Sequence, residues 1–186
     1  MTTTETRLLT AEDLLRLYGK GVRGELIRGV LCETMSAGEL HGKIVTNLVG
    51  ELWTFVKPKR LGTLLASDAG VRLERDPDTV REPDIAFTSA ERLPLEAWNT
   101  GYSEVVPDLV VEVASPGDSR RELNDDKAQM WLRYGVRLVW IVNPDTRTVD
   151  VHGSDGPIVT LGDDDSLDGG DVLSEFSCAV SAVFDT

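Results

Sequence analysis

Apolar positions recur along this chain with two different periods, and the switches between them mark its elements. From about Glu39 to Val56, Leu40, Ile44, Val45, Leu48, Leu52 and Phe55 fall at helical spacing, and Pro58 is expected to end the run. Leu138-Val139-Trp140-Ile141-Val142 is apolar without alternation, the pattern of a central strand buried on both faces. Further strands are expected at about Gly62 to Ala66, Ala69 to Leu73, Asp84 to Phe87, Leu109 to Ala114 and Val149 to His152, the last after a turn at Asn143-Pro144-Asp145. A polar connection rich in Arg and Asp separates the second of these strands from the third, and Glu91 to Gly101 is expected to hold a short helix.

Local signals complete the outline. Thr10-Ala11-Glu12-Asp13 starts a short helix through Leu17, because the Thr10 hydroxyl can accept from free amides of the first turn. Gly24 to Met35 is a hairpin turning at Arg28-Gly29, with Leu26 and Ile27 before the turn and Val30 and Leu31 after it. Asp118 or Ser119 caps a helix through Tyr134, which Gly135 closes as a left-handed cap. The expected fold is therefore α/β: a mixed β-sheet flanked by helices, with an N-terminal hairpin, in a single domain over residues 1–186. The tail from Gly153 is Gly- and Asp-rich, and Val172, Leu173, Phe176, Val180, Val183 and Phe184 are expected to dock it back on the core.

Composition narrows the function classes. The 186 residues are 41% hydrophobic and 27% charged, as in an ordinary globular protein. Nineteen Lys and Arg against 32 Asp and Glu give a net charge of -13, which opposes any global attraction to phosphate backbones or anionic membranes. Cys32 and Cys178 lack a CxxC partner and fit reduced thiols better than a disulfide scaffold. With no leader-like end and no apolar run of roughly 18 residues, a cytoplasmic, non-membrane protein is expected.

The chemistry lies in the acids on neighbouring apolar runs. A carboxylate among β-branched residues loses hydration unless something compensates, and a hard divalent cation shared by two carboxylates would do so. Asp108 and Glu112 share a strand face but stand about 13 Å apart, too far to hold one ion. Antiparallel pairing of the strands at 84–87 and 109–114 instead brings Asp84 beside Glu112, with the Val113 carbonyl nearby as a third oxygen. Water would complete the shell of Mg²⁺ or Mn²⁺. Position 114 is Ala, so the cation that assists an attacking water must come from elsewhere, and Lys127 on the next helix can reach back to the sheet edge. His41, at the start of the long helix, is a candidate proton shuttle or substrate contact.

Several ordered motifs resemble one family. These are Glu25-Leu26-Ile27-Arg28-Gly29, His41 early in a helix, Pro83-Asp84-Ile85-Ala86-Phe87 and Pro107-Asp108-Leu109-Val110-Val111-Glu112-Val113 with Ser115-Pro116-Gly117-Asp118. Lys127 follows, then Tyr134-Gly135-Val136 and Val139-Trp140-Ile141-Val142-Asn143-Pro144. Together they are similar to the Uma2 (DUF820) family of the PD-(D/E)xK superfamily, over about Leu8 to His152 and more weakly over Gly170 to Phe184. The resemblance implies a restriction-endonuclease-like core, Mg²⁺-dependent hydrolysis of DNA phosphodiester bonds, metal ligation by Asp84 and Glu112, and a catalytic lysine at Lys127. Glu25 and His41 match recurrent family positions. Trp131 stands where the family usually has Tyr, and Arg137-Leu138 replaces a more usual acidic and aromatic pair.

Blander readings compete. Asp84 and Glu112 would serve as structural strand-end charges if paired with Arg72, Arg81 or Lys127. Lys127 alone reads as a solvated helix lysine, His41 as a cap or surface residue, Glu25 as a hairpin charge and His152 as a strand-end residue. Asp164, Ser166, Asp168, Gly169 and Glu175 fall at positions 1, 3, 5, 6 and 12 of an EF-hand spacing, but Ser166, Asp171 and the absent flanking helix favour a solvated loop. For nucleic-acid contact the candidates are Lys57, Lys59 and Arg60 after the long helix and Arg120-Arg121 near the second. A homodimer would set two such sites on opposite strands of a duplex. A catalytically silent binding or assembly module and a hydrolase of smaller phosphoesters are the alternative functions.

Overall fold

The computed structural model describes residues 7–67, 69–97, 100–115, 126–154 and 156–185. The chain begins with α1 (Ala11–Tyr18), whose Thr10 hydroxyl accepts from the Asp13 amide while the Asp13 carboxylate accepts from the Thr10 amide, the expected reciprocal cap. The hairpin β1 (Gly24–Ile27) and β2 (Val30–Glu33) turns where Arg28 and Gly29 both take positive φ, the conformation a two-residue turn of this twist requires. The long helix α2 (Glu39–Lys59) runs beyond its expected end. Pro58 is accommodated in the last turn because its fixed φ is helical, and the stop comes at Arg60 with φ of 53°.

Next come β3 (Gly62–Ala66), β4 (Val71–Glu74), β5 (Thr79–Arg81), β6 (Ile85–Ser89) and β7 (Leu109–Val113). Strand β5 was not expected: it lies in the polar connection, where it pairs with both β4 and β1. The N-terminal hairpin thereby joins a four-stranded sheet of order β2-β1-β5-β4. The helix expected within Glu91 to Gly101 is absent among the described residues of that stretch, which form turns around Pro94.

After β7, residues 126–128 form a wide π-helical turn leading into α3 (Gln129–Arg133), and Gly135 follows with φ of 95°. The expected caps Asp118 and Ser119 lie outside the described residues. Strands β8 (Leu138–Asn143) and β9 (Thr148–Gly153) follow, then β10 (Val159–Leu161). They complete a six-stranded sheet of order β10-β9-β8-β7-β6-β3. Only β7 and β8 in it are parallel, joined by the crossover that carries α3, so the sheet is mixed as expected.

The central sheet is covered on both faces, which is why β7 and β8 are almost continuously apolar. Ile44, Leu48, Leu52 and Val56 of α2 pack on Ile85, Phe87, Val111, Val113, Trp140 and Val142. Trp131, Ala128 and Val136 cover Val110, Val139 and Ile141 on the other side. The tail forms a hairpin, β11 (Ser166–Gly169) and β12 (Leu173–Ala179), and a short helix α4 (Val180–Phe184). Leu173, Phe176, Val180, Val183 and Phe184 join the α2 side of the core. The EF-hand-like spacing thus belongs to this hairpin and not to a solvated loop: Leu167 and Gly169 are buried, and the Asp168 side chain accepts the Gly170 amide. Among the described residues no helix is long and apolar enough to cross a membrane.

Candidate active site

The β6–β7 ladder pairs Ile85 with Val111, Ala86 with Val110 and Phe87 with Leu109. Extending that register by one residue sets Asp84 opposite Glu112, on the sheet face that carries Val110 and meets α3. At this point the ladder gives way to a side chain: the Val113 amide donates to Asp84 Oδ2 at 2.7 Å. The bond orients the aspartate at the mouth of the strand and leaves Oδ1 for other partners.

Two helices reach this strand end. From the start of α2, His41 places Nε2 3.2 Å from Asp84 Oδ1, with its side chain only 12% exposed. The hydrogen bond to Asp84 raises the His41 pKa above the ordinary histidine value, helped by the Asp84 charge, a hydrogen bond to the Val113 carbonyl and the Glu112 charge, and opposed by burial. From the α3 side, Lys127 Nζ lies 3.6 Å from Glu112 Oε2, and the Trp131 indole N–H donates to Glu112 Oε1 at 2.8 Å.

Glu112 is the electrostatic centre of the cluster. It is 5% exposed. Burial pushes its pKa up to about 7, the neighbouring charges of Asp84 and Glu25 push the same way, and Lys127 and the Trp131 hydrogen bond only partly offset them. A carboxylate that one ammonium leaves undercompensated at neutral pH is a receptor for further positive charge.

The sequence-predicted residues therefore divide. Asp84, Glu112, Lys127 and His41 converge. Glu25 stands beside them with a structural contact: its Oε1 accepts the Glu82 amide at 2.8 Å and pairs with Arg81 Nε at 3.0 Å, gripping the backbone that leads into Asp84. The Val113 carbonyl faces His41. Of the competing arginine partners, Arg72 is engaged by Glu12, Asp78 and Glu104, and Arg81 by Glu25; Lys127 does pair with Glu112. Asp108 is a buried strand-entry residue that accepts the Ser89 amide. His152 is buried within β9 and is not a simple surface strand end. Lys57, Lys59 and Arg60 close the far end of α2, about 24–29 Å from His41 at 1.5 Å per residue, so the fold does not gather them at the site. Arg120 and Arg121 lie outside the described residues.

Trp131 is the residue whose place in the site the sequence did not reveal. An aromatic on a helix normally reads as packing, and its indole partner is set by tertiary structure. The available signal was its spacing from Lys127, which puts both on one helix face.

The donor set fits a hard divalent cation. Asp84 and Glu112 offer oxygens, and among the described residues no group of three or more His, Cys, Asp or Glu could hold a metal ion. Two carboxylates suit an ion that retains several waters and do not form a closed protein cage.

A family model described as "Putative restriction endonuclease", Uma2, matches residues 11–181. A crystal structure titled as that of a putative nuclease belonging to DUF820 from Anabaena variabilis superposes with a TM-score of 0.78 at 21% identity, covering 95% of this chain and 97% of that one. This likeness shows a shared fold. No curated protein matches the chain. The match spans nearly the whole sequence and includes the strand ends and helices that assemble Asp84, Glu112 and Lys127: the chain belongs to the Uma2 family.

Proposed function

We propose that this chain is a metal-dependent endonuclease that hydrolyses DNA phosphodiester bonds with Mg²⁺ or Mn²⁺. The observation that carries the reading is the convergence of two opposed carboxylates and an ammonium at one strand end: Lys127 lies 3.6 Å from Glu112, and Asp84 faces Glu112 by the strand register. Asp84 and Glu112 would hold the ion, which when bound supplies charge for the pentavalent transition state and acidifies a water. Lys127, as an ammonium, would orient the attacking water and offset negative charge in the transition state. His41, hydrogen-bonded to Asp84, is suited to hold a proton near the leaving oxygen or to contact a phosphate. The family match supports a nucleic acid as substrate.

We further read residues 1–186 as one domain, since the tail supplies part of the same core as α2 and the central sheet. A cytoplasmic location and a homodimer with one site per DNA strand complete the proposal. The net charge of -13 favours a second reading, hydrolysis of a smaller phosphoester, because a polyanion must approach against it.

The test is cleavage of plasmid, oligonucleotide and nucleotide substrates with and without Mg²⁺, for the wild type and for Asp84→Ala, Glu112→Ala and Lys127→Ala. Divalent-dependent cleavage of plasmid lost in all three folded variants is expected; full activity in the three would refute the assignment. Absence of binding at millimolar Mg²⁺ or Mn²⁺ in calorimetry would instead favour a silent binding or assembly module.

A further inference from the structure

Glu112 does not offer its two carboxylate oxygens equally. Oε1 accepts the Trp131 indole N–H at 2.8 Å, whereas Oε2 faces Lys127 at 3.6 Å. Trp131 is 0% exposed and is fixed against Val110, Val136, Val139 and Ile141. Its indole has a single donor and little access to solvent that could replace the carboxylate as acceptor. Rotating Glu112 so that both oxygens face one cation would pull Oε1 off the line of that buried N–H and weaken its hydrogen bond, which is costly in a low-dielectric core.

Cations differ in what they ask of a carboxylate. Mg²⁺ demands a near-octahedral shell of short bonds, met by one oxygen from each of two carboxylates plus waters. Ca²⁺ takes six to eight oxygens and is often gripped by both oxygens of one carboxylate.

We propose that Trp131 holds Glu112 as a one-oxygen ligand and thereby biases the Asp84/Glu112 site toward Mg²⁺ or Mn²⁺ and against Ca²⁺. The inference rests on the metal-site reading above and assigns Trp131 a positioning role. Phenylalanine retains most of the aromatic packing at 131 and lacks the N–H, so it removes the restraint selectively.

The experiment is calorimetric titration of Mg²⁺, Mn²⁺ and Ca²⁺ alone into metal-free wild type and Trp131→Phe. Loss of an outer-shell hydrogen bond should lower Mg²⁺ affinity by about 10- to 100-fold. Ca²⁺ affinity should change far less, so that the preference for Mg²⁺ collapses. An unchanged ratio of the two affinities in a variant with wild-type circular dichroism overturns the inference. A second measurement needs no variant fold: in the wild type, the Trp131 indole proton resonance should keep its hydrogen-bonded, downfield position at saturating Mg²⁺. Its release to the unbonded range on Mg²⁺ binding also overturns the inference. Asp84→Asn separates the two levels, because wild-type binding that is absent, or unaffected by this change, would overturn the metal site and this inference with it.

Discussion

Replacing Glu112 by Gln should make the metal-free protein more stable at alkaline pH while removing metal binding. The native carboxyl has its pKa raised from 4.5 to about 7, chiefly by burial. Between those values the native state keeps a proton that the unfolded chain has released. Stability therefore falls as pH rises through this window, and the full cost is present above the folded pKa. At 1.36 kcal/mol per pKa unit the cost reaches about 3 kcal/mol. Gln has the shape of Glu, and its amide oxygen can keep the Trp131 hydrogen bond. The partner lost is Lys127, whose side chain is 34% exposed and stays solvated. We therefore expect Glu112→Gln to gain about 1–3 kcal/mol at pH 8 and nothing at pH 4.5. Urea unfolding in EDTA from pH 4.5 to 8.5 measures both arms. His41, with its raised pKa, adds stability that is complete below its unfolded value and is lost as pH rises through its folded value, so part of the slope should survive in the variant. A variant less stable than wild type at pH 8, or one with an unaltered pH slope, would refute the claim that the site strains the fold through an undercompensated charge.

The same linkage predicts that Mg²⁺ binding near pH 7 expels protons from Glu112 and His41, so the calorimetric heat should vary with the ionisation enthalpy of the buffer; equal heats in phosphate and Tris would contradict it. Away from the site, Asp78 accepts the Ala11 amide at 2.7 Å and pairs with Arg72 at 2.9 Å, both side chains being over nine-tenths buried. Asp78→Ala should cost about 2 kcal/mol in thermal or urea unfolding, since it takes the acceptor from the buried Ala11 amide and one of three carboxylates from the buried Arg72 guanidinium. Gly62→Ala should be comparably damaging, by about 3 kcal/mol. Its new methyl would lie 2.2 Å from the Thr88 carbonyl oxygen, and backbone on the facing strand cannot step aside.

What the sequence disclosed follows from how local each determinant is. The α1 cap and the Arg28-Gly29 turn are set within a few residues, and both stand where expected. The Asp84/Glu112 juxtaposition is long-range but needed only strand alternation and one antiparallel pairing. Strand β5 escaped because three residues, Thr79-Val80-Arg81, are too short for a period to register, and their partners β1 and β4 are chosen by tertiary contacts. Pro58 misled because its fixed φ is compatible with a helix, so the chain keeps its helical course through Lys59 despite the lost donor, and the end is decided at Arg60. The partners of Trp131 and Glu25 could not be read, since a hydrogen bond between side chains distant in sequence leaves no periodic trace.

Those two unread contacts explain how the fold supports its site. Strand ends alone fix the Cα positions of Asp84 and Glu112 but not the directions of their oxygens. On one side Glu25, carried by the hairpin sheet, grips the amide of Glu82, and Val113 binds the aspartate itself. On the other, Trp131 anchors one oxygen of Glu112 from α3. The second sheet and the crossover helix thus brace the two carboxylates separately, one through the backbone leading into Asp84 and the other through Glu112 Oε1. The expense of this arrangement is a buried acid whose partners among the described residues, Lys127 and Trp131, only partly offset its burial. On the proposed metal-site reading that imbalance would favour an incoming cation, so the feature that would weaken the metal-free fold is the one from which metal affinity would derive.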